Sequence, residues 1–228
     1  MTYLQAIALG LVQGIAEFLP ISSSGHLKLF EKLLGLPNLD TEYLLFDVLL
    51  HLGTLIAVFV VYHKSIGELL KEALAVVHLR TYRPGETPNL PLRRMIALLI
   101  ISLLPLFLIL PVKSAVEALG SNFLVIGLML ILTGLALYFC DHVPRGKKTE
   151  KEMTLKDAIV MGFAQAIAVM PGLSRSGSTI TAGCVMGLNR SYAVEFSFIM
   201  SIPTILAAVL LRVGEAFQEG VNIALLPK

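Results

Sequence analysis

The chain has 228 residues, of which 56% are apolar and only 15% charged, with a mean hydropathy of +0.80. A soluble domain carries roughly 25% charged residues, and here 18 of the 34 charges fall in two stretches, 63–94 and 140–157. The remainder is too apolar to face water, which excludes a soluble enzyme, a disordered chain and a nucleic-acid binder. An all-helical, polytopic membrane protein is left. The net charge of +2 gives no footprint for a polyanion.

In chain order, the first apolar stretch, 4–19, lacks a basic start and runs into Pro20 and a serine-rich turn. It reads as part of the fold and not as a cleaved leader. A spanning helix needs about 20 mostly apolar residues. Four stretches qualify, 44–62, 95–112, 123–140 and 193–211. Loops 63–94 and 140–157 hold most of the Lys and Arg and read as cytoplasmic, while 113–122 holds only Lys113 and reads as external. The RPGETPNLP piece at 83–91 reads as a surface connector. Pro105, Pro111 and Pro203 are expected to kink their helices. Cys140 and Cys184 read as small buried apolar side chains.

Two regions are apolar but broken. Residues 4–19 lead through PISSSGH into the short run 27–36, and 157–170 lead through PGLSRSGST into 180–188. Each reads as two half-length helices joined by a polar elbow. Backbone at membrane depth that is not helical survives only where protein buries it or a wet cavity hydrates it. Sliding the chain by 152 residues lays 6–25 on 158–177 with nine of 20 positions identical, Gln13/Gln165, Ser22/Ser174, Ser24/Ser176 and Gly25/Gly177 among them. A weaker match at an offset of 150 pairs Phe46, Thr54 and Ala57 with Phe196, Thr204 and Ala207. An odd number of crossings separates the copies, so the second enters from the opposite face: a single membrane domain built as an inverted-topology repeat. Copy one spans 1–140. Copy two spans 153–228 and looks incomplete at its end, since 193–211 is followed by only 17 residues. In such folds broken helices meet near the midplane with their N-termini towards anionic groups.

The elbows carry the chemistry. Gln13 and Glu17 are four apart and share a helical face; Ser22, Ser23, Ser24, Gly25 and His26 follow. The second elbow supplies Ser174, Arg175, Ser176, Gly177 and Thr179. Free N–H groups at the start of each following helix form an anion site, and the Arg175 guanidinium forks onto phosphate oxygens. Burying Glu17 and Arg175 costs about 2.5–3.5 kcal/mol each on the insertion scale. A mutually neutralising structural pair is the plainer account, but it leaves His26 and the hydroxyls unexplained. It also leaves unexplained why Glu17 falls on Val169, Ser23 on Arg175 and His26 on Ser178. The set suits phosphoryl transfer. Arg175 and the amides neutralise charge, Ser23 or His26 attacks, and Glu17 with Gln13 holds a divalent cation or orients the imidazole. Asp47 and Glu195 read as carboxylates at helix starts, His51 as a packed side chain, and Lys28 and Glu31 as snorkelling to the interface.

With those motifs in place, the chain resembles the bacterial undecaprenyl-diphosphate phosphatase, or bacitracin-resistance, family. The resemblance runs from residue 3 to about 211 and is carried by Gln13 to Glu17, Ser22 to His26 and Pro171 to Thr179, with FDVLLHLGT and EFSF around them. It implies release of one phosphate from undecaprenyl diphosphate for recycling of the lipid carrier, and bacitracin resistance. It also implies a divalent cation, Mg2+ or Ca2+, and a multi-pass protein of the bacterial plasma membrane whose site opens outwards. Glu17, Ser23, His26, Ser174, Arg175 and Thr179 take the family's functional positions, with Gln13 as a variant of its first acid; the attacking group stays open between Ser23 and His26. Expected partners are the polyprenyl diphosphate lipid, the membrane and a second copy in a homodimer, with no nucleic acid. The competing function is an inverted-repeat transporter or lipid flippase; an imidazole beside serines facing an arginine favours the enzyme.

Overall fold

The computed structural model describes residues 1–36, 44–77 and 87–219; their regular structure is helical, joined by turns and short loops, with no strand among them beyond one isolated bridge between Lys148 and Leu188. The helices are α1 (Tyr3–Phe18), α2 (Ser23–Leu33), α3 (Leu44–Val61), α4 (His63–Val76), α5 (Leu90–Leu103), α6 (Lys113–Leu119), α7 (Phe123–His142), α8 (Leu155–Ile167), α9 (Arg175–Val185) and α10 (Arg190–Glu219). Part of the expected 83–91 connector, residues 83–86, and the terminal ALLPK lie outside the described residues.

Three helical stretches are long and apolar enough to cross a membrane alone, Leu90–Val112, Phe123–His142 and Arg190–Gly214. A fourth, Phe46–Val61, passes that test only together with His63–Val76, across an 88° bend. Large apolar side chains stand open around the outside, Leu4, Leu124 and Leu210 among them. In water such a surface would aggregate; in a bilayer it faces hydrocarbon. The protein is a multi-pass membrane protein.

Two expectations change. Residues 63–94 are not one loop. The first part folds as α4, whose buried Leu69, Glu72 and Ala75 recur every third residue on one face, and Arg93 Nε donates to Glu72 Oε1 at 2.7 Å. Its polar face dilutes the hydropathy that a search for spans detects. The next helix also starts earlier than residue 95, at Leu90, where Asn89 Oδ1 accepts the Leu92 N–H and Pro91 sits in the first turn. Arg93 and Arg94 are therefore helical, and Arg94 donates to the carbonyls of Lys151 and Met153. The expected prolines act as 3-10 turns in this span, Leu104–Leu108 around Pro105 and Leu110–Val112 around Pro111. Pro203 stands inside α10.

The two broken regions start alike. Thr2 caps α1 in a reciprocal box with Gln5, and Thr154 caps α8 in a box with Asp157, at the repeat offset. Beyond the boxes their surroundings diverge. α8 and α9 lie in the main core with Met153, Met161, Phe196 and Met200, all fully buried. A Cβ on Gly162 would stand 2.4 Å from the Ser102 carbonyl oxygen, so α8 crosses α5 nearly backbone to backbone. The smaller cluster around α1 and α2 is built on Leu9 and Leu27. Cys140 and Cys184 are free and buried, as expected. In the loop before α8, Thr149 donates from its hydroxyl and its N–H to Glu152, which holds that exposed carboxyl below its usual range.

Candidate functional site

α1 stops at Phe18, ahead of Pro20, and α8 stops at Ile167, ahead of Pro171. After each break a serine restarts the chain as a helix. Ser22 Oγ accepts the Gly25 N–H at 3.3 Å, and Ser174 Oγ accepts the Gly177 N–H at 3.0 Å. Ser22 and Ser24 hydroxyls are 3.4 Å apart, as are Ser174 and Ser176. The breaks touch reciprocally. A Cβ on Gly25 would lie 3.0 Å from Gly172 Cα, and one on Gly177 would lie 2.7 Å from the Pro20 carbonyl oxygen. Gly25 corresponds to Gly177 and Pro20 to Gly172 at the offset of 152, so each break leans on the matching place in the other. Both glycines are required by the approach and not by backbone angle; Gly172 is also held at φ +91.

Ser23 and Arg175, at equivalent positions, are the first residues of α2 and α9, and both reach Glu17. Ser23 Oγ donates to Glu17 Oε2 at 2.6 Å, and Arg175 Nη2 donates to Glu17 Oε1 at 2.6 Å. Gln13 Nε2 lies 3.4 Å from Oε2 on the same face. Glu17 thus joins the two breaks, with its side chain 11% exposed and that of Arg175 23%. Ser176 Oγ makes a long contact, 3.5 Å, to the Glu17 carbonyl.

The other candidate residues sit at different removes. His26 is half-buried one turn along α2, and its Nδ1 is 2.8 Å from the Ser22 carbonyl. Nδ1 therefore donates there and Nε2 is left as the free nitrogen. Ser24 is exposed. Thr179 points away from the cluster. It is fully buried, its hydroxyl meets the Arg175 and Ser176 carbonyls at 2.9 and 3.1 Å, and it shares a hydrogen bond with Ser197. Its donor is occupied, so it holds the first turn of α9 beneath Arg175.

Five side chains outside the two elbows matter here. Ser197 on α10 is Thr179's partner. Thr133, alone among apolar neighbours in α7, accepts the Ser174 N–H at 3.0 Å and lies 3.4 Å from the Gly172 carbonyl, so it anchors the second break. A single hydroxyl in mid-span was its only sequence signal. Asp47 does lie in the first turn of α3, but it also faces Arg212 Nη1 at 3.0 Å. Glu195 is not at a helix start. It lies inside α10, which begins at Arg190, and accepts from Ser65 Oγ at 2.7 Å. Glu31 is buried beside Lys28 at 3.5 Å and does not reach out to an interface.

A divalent cation finds limited but fitting donors. Among the described residues no three His, Cys, Asp or Glu side chains converge, so no all-protein cage exists. Gln13 Oε1, however, is buried without a hydrogen-bond partner beside the Glu17 carboxylate. One carboxylate and one amide oxygen, completed by water and substrate phosphate oxygens, is a set Mg2+ accepts.

The profile of the family described as bacitracin resistance protein BacA matches residues 6–226. Curated relatives named undecaprenyl-diphosphatase include one from Moorella thermoacetica, 42% identical over 226 residues, covering 98% of this chain and 81% of its own. A second, from Methanosphaera stadtmanae, is 41% identical over 217 residues, covering 93% and 77%. A third, from Alkaliphilus metalliredigens, is 40% identical over 224 residues, covering 97% and 80%.

Proposed function

We propose, from the premise that the chain belongs to the bacitracin resistance protein family, how its residues carry the hydrolysis of a polyprenyl diphosphate. The protein is an integral-membrane undecaprenyl-diphosphate phosphatase, releasing inorganic phosphate and leaving the lipid monophosphate. The observation that carries the reading is Glu17 held between Ser23 and Arg175 where two helix N-termini meet.

That geometry supports the following course. The terminal phosphate docks on the amides opening α2 and α9, and Arg175 turns its fork from Glu17 to the phosphate oxygens. Ser23 Oγ attacks phosphorus and its proton passes to Glu17 Oε2, which it already contacts. The bond from phosphorus to the bridging oxygen breaks, and the lipid monophosphate leaves with that oxygen. Water then attacks the phosphoserine, its proton accepted by Nε2 of His26; the bond from phosphorus to Ser23 Oγ breaks as Glu17 returns its proton to that oxygen, and phosphate departs. Gln13 Oε1 and Glu17 would hold Mg2+ or Ca2+, which supplies further neutralisation of phosphate charge. Ser22 and Ser174 frame the amides, and Thr179 positions Arg175. Ser24, Gly25, Ser176 and Gly177 complete the phosphate cradle.

The breaks are read as re-entrant elbows of an inverted repeat meeting near the midplane, supported by the reciprocal glycine contacts. The site opens outwards from a bacterial plasma membrane, and two copies pair as a homodimer. A transporter or flippase would share the crossed elbows but has no use for a hydroxyl seated on a carboxylate.

The test is phosphate release from a polyprenyl diphosphate by the purified full chain in detergent, with and without EDTA. Release is expected, with loss in EDTA. A trapped phosphoenzyme that is acid-stable supports Ser23; an acid-labile one assigns the attack to His26, whose free nitrogen is the observation for that second reading. Absence of release with intact folding overturns the enzyme assignment.

A further inference from the structure

At the end of α9 away from the catalytic cluster, two spaces meet at one arginine. The spans Phe123–His142 and Arg190–Gly214 both end here, on the face whose Lys and Arg read as cytoplasmic. Tyr138, exposed, packs on His142 with ring centroids 4.3 Å apart. Such rings at the end of a span sit at headgroup level. A cleft of about 220 Å3 opens there, lined by Arg145, Gly146, Asn189, Arg190 and Ser191. Its backbone wall is fixed: the Lys148 N–H donates to the Gly187 carbonyl at 3.1 Å and the Asn189 N–H to the Lys148 carbonyl at 2.8 Å. A Cβ on Gly146 would run into the Gly187 carbonyl oxygen. Arg190 is held as well. Its Nη1 donates to Asp141 Oδ1 at 3.1 Å, and its Nη2 to the Cys140 and Asp141 carbonyls at 2.9 and 3.1 Å. A guanidinium has five N–H donors, so Arg190 keeps donors for a further acceptor. Asp141 offsets one of the two guanidinium charges. Arg145 is the surplus, exposed and without a partner among the described residues.

Arg190 also lines a second space, of about 330 Å3, between α7, α9 and α10. Arg190, Val194 and Phe198 are four apart, so one face of α10 forms its side. Leu137 and Ile180 stand across from it, and it reaches Phe18, whose ring lies 5.6 Å from that of Phe198 beside the first break. Its size falls within the ligand-pocket range of about 300–1,000 Å3. An apolar groove at hydrocarbon depth takes up a lipid chain, because an unfilled one forfeits the dispersion contacts of its lining. The head of that lipid is chosen by what stands at the mouth, and here the mouth carries two arginines.

We infer that the cleft and the groove are one amphipathic site for an anionic phospholipid of the leaflet on that side, with its phosphate at Arg145 and Arg190 and an acyl chain along Val194 towards Phe198. Basic pockets between spans on the cytoplasmic side suit anionic headgroups. A zwitterionic lipid gains the groove alone, whereas an anionic one also gains Arg145. The site is separate from the Glu17 cluster, and the inference does not depend on the phosphatase reading.

The experiment is native mass spectrometry of the purified full chain in detergent, titrated with dioleoyl phosphatidylglycerol and, in parallel, dioleoyl phosphatidylcholine, which has the same chains under a zwitterionic head. Phosphatidylglycerol is expected to bind one site about five-fold more tightly, the worth of one basic side chain near a membrane surface. Arg145→Ala is expected to remove that preference while phosphatidylcholine binding and phosphate release stay at wild-type levels; Arg145→Lys is expected to keep it. Val194→Phe, which fills the groove, is expected to weaken both lipids, and if it fails to fold the two Arg145 variants decide alone. Equal binding of the two lipids to the wild type, or a preference that survives Arg145→Ala, overturns the inference. Displacement of phosphatidylglycerol by millimolar inorganic phosphate would show a plain anion site, and displacement by a polyprenyl monophosphate but not by a second anionic phospholipid would show a product site; either overturns the assignment to phospholipid.

Discussion

At the first break Ser22 caps α2 and Ser23 follows it; at the second Ser174 caps α9 and Arg175 follows it. The caps, the serine pairs and the glycine contacts are shared, so the frame is duplicated while the residue after the cap is not. That position gives one copy a hydroxyl and the other a cation, and both close on the same Glu17, whose own counterpart is Val169. The repeat supplies two serine-capped helix starts in contact; under the proposed mechanism, divergence at Ser23/Arg175, Glu17/Val169 and His26/Ser178 turns a symmetric cradle into an asymmetric site.

The largest test of that asymmetry is to remove the cation. Arg175→Ala is expected to lower phosphate release at least ~100-fold, as loss of a preorganised electrostatic partner does. Removing the matching Ser23 hydroxyl with Ala should be comparably severe, but it should also abolish the acid-stable phosphoenzyme, which Arg175→Ala only slows. Equal trapping in both variants would break the division of labour between the two positions.

The frame itself is tested at its crossing. An Ala at Gly177 drives Cβ to 2.7 Å from a backbone carbonyl that cannot swing aside, so the two breaks must part. A displacement near 1 Å in a preorganised site can cost about 100-fold in rate. Gly177→Ala is therefore expected to lose activity on that scale while α9 itself stays helical by circular dichroism. Gly25→Ala meets the flexible Leu130 Cδ2 at 2.9 Å and the Gly172 backbone at 3.0 Å and should lose less. Wild-type rates for Gly177→Ala would show that the breaks do not rely on their contact.

Much of this was readable beforehand. The Ser-x-Ser-Gly repeat and the prolines marked both breaks and the short helices after them, whereas the serine caps and the direct pairing of Glu17 with Arg175, weighed in the sequence only as the plainer account, came from the structure. Groups whose partners lie far along the chain were not readable. Asp47 looks like a helix-start carboxylate until Arg212 is seen 3.0 Å away, and Glu195 until Ser65 is. Thr179 matched the motif and looked like a phosphate donor, but its hydroxyl is spent on Ser197 and two carbonyls. α4 was hidden for a different reason: an amphipathic helix with Glu72 on its buried face has the composition of a loop.

Below the crossing lies the anchor of the second break. Thr133→Val keeps the shape of the side chain but removes the oxygen that accepts the Ser174 N–H at 3.0 Å. A buried donor left unpaired costs about 1–3 kcal/mol. The thermal midpoint should fall, and more than for Thr133→Ser, which keeps the hydroxyl. Among the described residues no side chain accepts the Ser22 N–H in this way; an unchanged midpoint for Thr133→Val would remove this difference between the breaks.

The smallest expected effect differs in sign between the two caps. Ser174 has an ordinary extended backbone, φ −71, whereas Ser22 is held at φ +76, the sole non-glycine residue with positive φ among those described. A left-handed backbone costs a side-chain-bearing residue roughly 1–2 kcal/mol, and replacing a capping serine by glycine costs only a few tenths of a kcal/mol. Ser174→Gly should therefore be slightly destabilising, while Ser22→Gly gains more from relieving the backbone than it loses at the cap and should raise the thermal midpoint. The strain at Ser22 sits immediately before Ser23, so relieving it frees the hydroxyl that must stay on Glu17. Ser22→Gly is thus expected to be more stable and about two- to threefold less active, in line with the exchange of stability for a strained site. Equal shifts of midpoint for the two glycine variants would show that the cap and not the backbone angle sets the energy at both breaks.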